Sequence, residues 1–247
     1  GVHLPVLPTV LTAMAIAEFG TDEQKQKLLP AVASGDTVLT AVLSHQPPLA
    51  PYASEASAVL VGGQLVSQSA LDVAEVRTTS GEPQGVVRVT GDGEPLGVPV
   101  EWLVERWTAG LCMLQAGLCQ KALKLTAEYT TGREQFGKPV ATFQAVAQRA
   151  ADAYIDTEAV RLTAYQAAWR LSEGLPASAE VAVAKFWAAD GGTRVMLAAQ
   201  HLHGGIGVDT DYPLHTYTTW TKQIELTMGS ATPTLVRLGK AIAAGEV

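Results

Sequence analysis

Apolar residues recur at spacings of three and four along most of the second half of the chain. From Phe143 they fall at Val146, Ala150, Tyr154, Thr157, Val160, Ala164, Ala168 and Leu171, which predicts one buried stripe along a long helix. Thr142 is placed to cap it, and it ends by Gly174. Trp102 to about Thr131 predicts one long helix before it, and Ser178 to about His203 a third, with Gly204 past its end. Gly191-Gly192 interrupts that third helix, at about 1 kcal/mol per Gly relative to Ala, and marks a place where another backbone comes close. A fourth helix begins at Pro213, where proline is welcome, and Thr232-Pro233 caps and starts a last one. Long helices joined by short loops predict an antiparallel bundle over residues 100–247.

The first hundred residues carry a different pattern. Residues 6–19 have a helical texture and stop at Gly20; Thr21-Asp-Glu-Gln24 is a capping box, and the helix it opens runs from Lys25 to Ala33 and ends at Ser34-Gly35. A short strand follows over Val38 to Leu43. Residues 44–57 break the pattern: His45-Gln-Pro-Pro-Leu-Ala-Pro51 excludes helix and makes a poor strand. Three β signals come next: Ala58–Val61, a segment around Val73–Thr78, and Val86–Thr90, the last with period-two alternation. Gly62-Gly63 and Ser80-Gly-Glu-Pro83 between them are turn chemistry. The division is 1–37 helical, 38–99 a small β layer and 100–247 the bundle: a mainly α chain with a small β domain. No internal repeat is found.

Composition narrows the classes. Of 247 residues, 47% are hydrophobic and 17% charged, which suits an ordered protein with much buried or interfacial surface. The net charge of −7, with no Lys or Arg run, argues against a nucleic-acid partner. No apolar stretch approaches the ~18 residues of a membrane span. The first residues, Gly1-Val-His-Leu-Pro5, have no basic region or cleavage signal, so a cytoplasmic location is expected; without an initiator Met, residues are expected upstream. Cys112 and Cys119 lie two helical turns apart and are read as two reduced core thiols.

Candidate chemistry gathers in three places. Arg133, Phe136 and Gln144 lie in and just after a tight loop, Gly132 to Pro139, between two long helices. An Arg fork suits a pyrophosphate oxygen pair, a Phe ring gives a stacking face, and a Gln at a helix start adds an amide beside free N–H groups. The plain alternative is a helix–helix loop with a surface Arg. His201 and His203, at i and i+2, point apart on a helix, and no carboxylate or Cys pattern completes a metal site. Gly204-Gly205 either caps the helix or lets a backbone come close to a ligand. There is no Gly-x-Ser-x-Gly, no P-loop and no Gly-x-Gly-x-x-Gly after a strand.

Taken in order, these stretches resemble the acyl-CoA dehydrogenases. The likeness rests on Arg133-Glu-Gln-Phe-Gly137 with Gln144, and on Leu202-His-Gly-Gly-Ile-Gly207 with Tyr212-Pro213. It implies that residues 1–37 are the end of the family's N-terminal helical domain, 38–99 a shortened middle β domain and 100–247 the C-terminal four-helix bundle. It further implies that Arg133, Gln135, Phe136 and Gln144 reach across a dimer interface to the pyrophosphate and adenine half of a neighbour's FAD. His201, Gly204 and Gly205 would add to the same half, although the family often has Gln where His201 stands. Ser230 joins the cofactor-binding positions by the same likeness.

The departures are as informative. The family's base is a Glu directly before Gly-Thr; the aligned residue is Met228, which cannot accept a proton. Some members carry that Glu on the first bundle helix, near Trp107, and Glu105 lies about 200° around the helix from there. The family's Leu-Thr-Glu-Pro…Gly-Ser-Asp stretch and its Trp-containing strand are reduced to Leu43-Ser-His-Gln-Pro47 followed by too few residues; the half-site is degenerate or a loop is absent from the sequence. A surviving lending half beside a lost borrowing half resembles the degenerate partner subunit of actinobacterial α2β2 steroid side-chain acyl-CoA dehydrogenases. The resemblance implies a homologous catalytic partner that supplies the base, an acyl-CoA substrate (a steroid side-chain CoA), electron-transfer flavoprotein as a further partner, and no catalytic residue here. Other readings stay open: a self-sufficient homo-oligomer using Glu105 or Glu225 as a displaced base, and a non-enzymatic scaffold or DNA-binding flavoprotein relative.

Overall fold

The computed structural model describes residues 4–43 and 47–245. The chain divides into two compact units, between Trp107 and Thr108, inside one long helix.

The first unit opens with α1 (Val6–Phe19) and α2 (Asp22–Ser34). The capping box is made as expected: the Gln24 N–H donates to the Thr21 hydroxyl at 3.2 Å, and the Thr21 N–H donates to Gln24 Oε1 at 3.0 Å. Gly35, at φ 83°, ends α2 in the left-handed region. One sheet joins β1 (Leu39–Ala41), β3 (Ala58–Val61), β4 (Gln64–Ser67) and β7 (Glu94–Pro95), with β1 parallel to β3 and the other pairs antiparallel. A second, antiparallel sheet runs β2 (Leu49–Pro51), β6 (Gln84–Val89), β5 (Leu71–Val76). Val42, Ala50, Ala53, Ala56, Val59 and Val87 form the core of this β layer.

The second unit contains the rest of α3 (Val100–Gly132), the hairpin β8 (Glu134–Gln135) and β9 (Lys138–Pro139), α4 (Gln144–Ser172), α5 (Ser178–His203), α6 (Leu214–Leu226) and α7 (Ala231–Ala244). Helix α5 is central and packs against α4, α6 and α7. Its partners at the contacts are small: Ala184 and Ala188 meet Ala164 and Ala167 of α4 and Ala109 and Cys112 of α3. Side chains of this size let helix axes approach closely. A bidentate pair, Arg194 Nε and Nη2 to the Asp156 carboxylate at 2.8 and 2.6 Å, clasps α5 to α4. Both cysteines are buried and free, and burial pushes each thiol up to about 12, so neither is a thiolate at neutral pH.

Several sequence expectations are corrected. Leu49–Pro51 is a strand, tolerated because it lies at a sheet edge, where proline's missing N–H costs least. Strands β4 and β7 had no alternation to announce them. Thr142 does not cap α4: its hydroxyl donates to the Pro139 carbonyl at 2.7 Å, closing a 3-10 turn, and Phe143 holds the N-cap position. Ser230, not Thr232, holds that position for α7. Tyr154 is 57% exposed; the buried face of α4 is Ala153, Thr157, Val160, Ala164 and Ala167. Helix α5 runs unbroken through Gly191-Gly192. What comes close there is a set of side chains: a Cβ on Gly192 would lie 2.5 Å from the Gln115 amide nitrogen, and one on Gly191 would meet Trp187 and Val160. The Leu43–Pro47 stretch falls largely on residues 44–46, outside the described residues.

Candidate functional site

Between α3 and α4 the chain forms a minimal hairpin. Gln135 pairs with Lys138, leaving Phe136 and Gly137 as a two-residue loop with φ of 55° and 76°. Positive φ at both positions defines the type I′ turn that matches strand twist. Glycine adopts it freely, whereas a phenylalanine there costs about 1 kcal/mol. The ring this strain holds outward is 93% exposed. It meets Phe143 edge-on at 6.2 Å between centroids, and the Lys138 ammonium sits 4.5 Å over the Phe143 ring. Arg133 is anchored through its backbone: its N–H donates to the Tyr129 carbonyl at 2.9 Å and its carbonyl accepts from Val140 N–H at 2.8 Å. Its side chain is exposed, as are those of Gln135 and Gln144.

Gln144 is the first residue of α4, and no side chain caps that end. An uncapped helix N-terminus and, eleven residues earlier in the chain, an exposed guanidinium each suit an anion.

The second stretch is tied to the first by aromatic packing. His203, the last residue of α5, is buried, and its ring stacks on Tyr129 of α3 at 4.5 Å with 21° between planes. Its Nδ1 is 2.8 Å from the Ala199 carbonyl and its Nε2 3.2 Å from the Tyr212 hydroxyl. A carbonyl can only accept, so Nδ1 carries the proton and Nε2 accepts from Tyr212. Burial holds the His203 pKa below the ordinary imidazole value, against the opposing pull of the Ala199 bond. Gly204 follows at φ 66° and ψ −142°, a conformation essentially reserved for glycine. Gly207 turns back so tightly that a Cβ would stand 2.7 Å from the Gln200 carbonyl oxygen. His201, Gly204 and Gly205 face solvent.

The third stretch lies apart. The Lys185 ammonium, 1% exposed, donates to the Ile224 carbonyl at 2.6 Å, so the end of α6 sits beside the start of α5. From Lys185 to His203 is 18 residues of α5, about 27 Å at ~1.5 Å per residue. Ser230 therefore stands near the opposite end of α5 from His201. The loop before it is strained at Met228, with φ 64°, and its Met228 carbonyl accepts from Arg237 Nη2 at 3.3 Å. Glu225 nearby takes bonds from Thr193 at 2.8 Å and Lys222 at 2.5 Å. Burial pushes its carboxyl up, but these two bonds and the Lys222 and Lys185 charges outweigh it and leave the pKa low. A carboxylate held ionised by two donors is poorly suited to proton abstraction.

The structure thus places Arg133, Gln135 and Phe136 on one hairpin and Gln144 at the start of the helix that follows it, and the Tyr129–His203 stack links the end of α3 before the hairpin to the Gly204-Gly205 turn. Sequence reading missed Tyr129, Lys138, Lys185 and Arg237, which position these segments. Tyr129 was legible only as an aromatic one turn before Arg133, and its partner is 74 residues away. Among the described residues no group of three His, Cys, Asp or Glu could hold a metal, and no helix is long and apolar enough to cross a membrane.

With this geometry in place, the similarities to known proteins are informative. Residues 103–242 match the model of the acyl-CoA dehydrogenase C-terminal domain, and residues 1–36 that of its N-terminal domain. The chain belongs to the acyl-CoA dehydrogenase family. FAD is the cofactor of that family. Acyl-CoA dehydrogenase FadE27 of Mycobacterium tuberculosis is 36% identical over 95% of this chain and 74% of its own length. A variant of the Tcur3481-Tcur3483 steroid ACAD superposes with a TM-score of 0.91 at 36% identity, covering 98% of this chain and 77% of that one. The ChsE4-ChsE5 complex from Mycobacterium tuberculosis gives 0.89 at 35% identity, covering 97% and 76%.

The residues present fit one half of such a cofactor. An outward guanidinium, an open helix N-terminus and a stacking ring suit a pyrophosphate and its adenosine.

Proposed function

We propose that this chain is the cofactor-completing subunit of a heteromeric FAD-dependent acyl-CoA dehydrogenase. Arg133, Gln135, Phe136 and Gln144, with His201, Gly204 and Gly205, bind the pyrophosphate and adenine half of an FAD seated in a homologous partner, and Ser230 adds a contact from the far end of α5. When bound, FAD supplies the hydride acceptor for α,β-dehydrogenation of an acyl-CoA. The partner supplies the base and the acyl pocket, and the likeness to steroid ACADs favours a steroid side-chain CoA as substrate.

The observation that carries this reading is an imbalance within the chain. The Arg133 hairpin is built outward at a cost in strain, while the site of the lost base holds Met228 and the nearby Glu225 is neutralised by Lys222. Open apolar side chains on α4 (Ile155, Leu162, Trp169) and on α7 (Leu235, Val236, Ile242) add support, because they offer more apolar surface than a lone chain needs.

The test is co-expression with a homologous, complete acyl-CoA dehydrogenase chain. Flavin and acyl-CoA oxidation should appear only in the mixed complex. Activity of this chain alone, abolished by Glu105→Gln or Glu225→Gln, would favour the self-sufficient reading instead.

A further inference from the structure

Helix α4 carries two stripes, and only one of them is used within the chain. Ala153, Thr157, Val160, Ala164 and Ala167 are buried against the bundle. On the opposite side stand Ala151, Ile155, Glu158, Leu162, Tyr165 and Trp169, again at alternating steps of four and three. Val160 and Leu162 are two residues apart, about 200° around the helix, so the two stripes face opposite ways. The large apolar members of the outer stripe, Ile155, Leu162, Tyr165 and Trp169, are each more than half exposed. Steps of four and three make the ~3.5-residue period of a helix-to-helix seam, and a helix that is apolar on both sides is a buried one. From Ala151 to Trp169 the outer stripe spans 18 residues, about 27 Å at ~1.5 Å per residue.

We infer that this outer stripe pairs, antiparallel, with the same stripe of a second copy of this chain, about a two-fold axis at the level of Val160. The occupant follows from self-complementarity, which a two-fold contact requires. In that register Ala151 meets Trp169 of the second copy and Ile155 meets its Tyr165, small against large and aliphatic against aromatic. Glu158 and Leu162 face each other beside the axis. The one acidic side chain of the stripe is already matched to a cation on the same face. Arg161 Nε and Nη2 donate to the Glu158 carboxylate at 3.2 and 2.6 Å, and the guanidinium lies 5.9 Å from the centre of the Tyr165 ring. Two copies therefore close a ring of alternating carboxylates and guanidiniums around the axis, and neither charge is buried alone. A parallel pairing would set Glu158 against Glu158 and Trp169 against Trp169, and would lose both matches. Tyrosine, tryptophan and arginine together are the composition of an interface centre. The inference does not rest on the cofactor-completing reading; it accounts for the two copies of this chain in an α2β2 assembly.

The test combines sedimentation of the full chain with cross-linking, in the chain alone and in the complex co-expressed with the homologous partner. Wild type should sediment as a dimer. Leu162→Glu, an exposed change that should leave the helical circular dichroism intact, should weaken dimerisation about a hundredfold or more, since a two-fold contact carries each change twice. Arg161→Glu and Glu158→Arg should each be monomeric alone and dimeric when mixed, because the ring needs both signs; a general apolar patch would not give that result. Glu158→Cys combined with Leu162→Cys should join two copies of this chain under mild oxidation, while the buried Cys112 and Cys119 stay silent. A chain that gives neither dimer nor cross-link, a dimer that Leu162→Glu leaves intact, or a cross-link to the homologous chain instead would overturn the pairing. A dimer through α4 that by itself binds FAD and oxidises an acyl-CoA would leave the pairing standing and defeat the cofactor-completing reading.

Discussion

The ammonium of Lys185 lies 2.6 Å from the carbonyl oxygen of Ile224 and 3.3 Å from that of Glu225. A cation is thereby buried at the C-terminal end of α6, where the last carbonyls lack helical partners and the helix dipole is negative. Burial nevertheless draws the amine down to about 8. An unfolded lysine titrates near ~10.4, so between about 8 and that value the unfolded chain binds more protons than the folded one. Stability from this group rises with pH across that window and is level on either side. Urea unfolding of wild type and Lys185→Met should show the difference between them moving in favour of wild type from pH 8 to 10. A constant difference would contradict the assignment.

Gly192 gives a packing prediction. A methyl group there would displace Gln115, whose amide nitrogen donates to Thr221 Oγ1 at 3.0 Å and Cys119 Sγ at 3.2 Å. Gly192→Ala gains about 1 kcal/mol of helix propensity and loses more to overpacking and broken bonds, a net cost of about 1–2 kcal/mol. Adding Gln115→Ala should cost less than the sum of the single changes, read from a double-mutant cycle in urea. Strict additivity would show that the contact is not felt.

Phe136 separates stability from function. Phe136→Gly relieves a left-handed phenylalanine worth about 1 kcal/mol and removes only an edge contact with Phe143. The melting temperature of the isolated chain should hold or rise, while the mixed complex loses flavin. A fall in melting temperature with flavin retained would mean that the ring is structural.

Legibility in the sequence followed the range of the interaction. The capping box at Thr21 and Gln24 is local, and it was visible and correct. The α4 stripe was placed one residue off at Tyr154 because large rings read as core, whereas the tight contact with α5 selects alanines and turns the rings outward. The Leu49–Pro51 strand was hidden by its prolines, since only the partner strand shows that it is an edge. At the candidate site the motif residues were legible, but their setting was not. Nothing local announces a phenylalanine at positive φ, and His203 gave no hint of its stack on a tyrosine 74 positions earlier.

Flavin stoichiometry in the assembled complex tests the central claim most directly. Native mass spectrometry of this chain co-expressed with a homologous catalytic partner should give a mixed assembly, α2β2 in mass, carrying FAD. Arg133→Ala should leave the assembly mass intact and lower FAD affinity by roughly tenfold or more, the loss of a charge-assisted contact of about 1.5–3 kcal/mol. Full flavin occupancy and unchanged affinity in Arg133→Ala, or a homo-oligomer of this chain alone that holds FAD and oxidises an acyl-CoA, would contradict it.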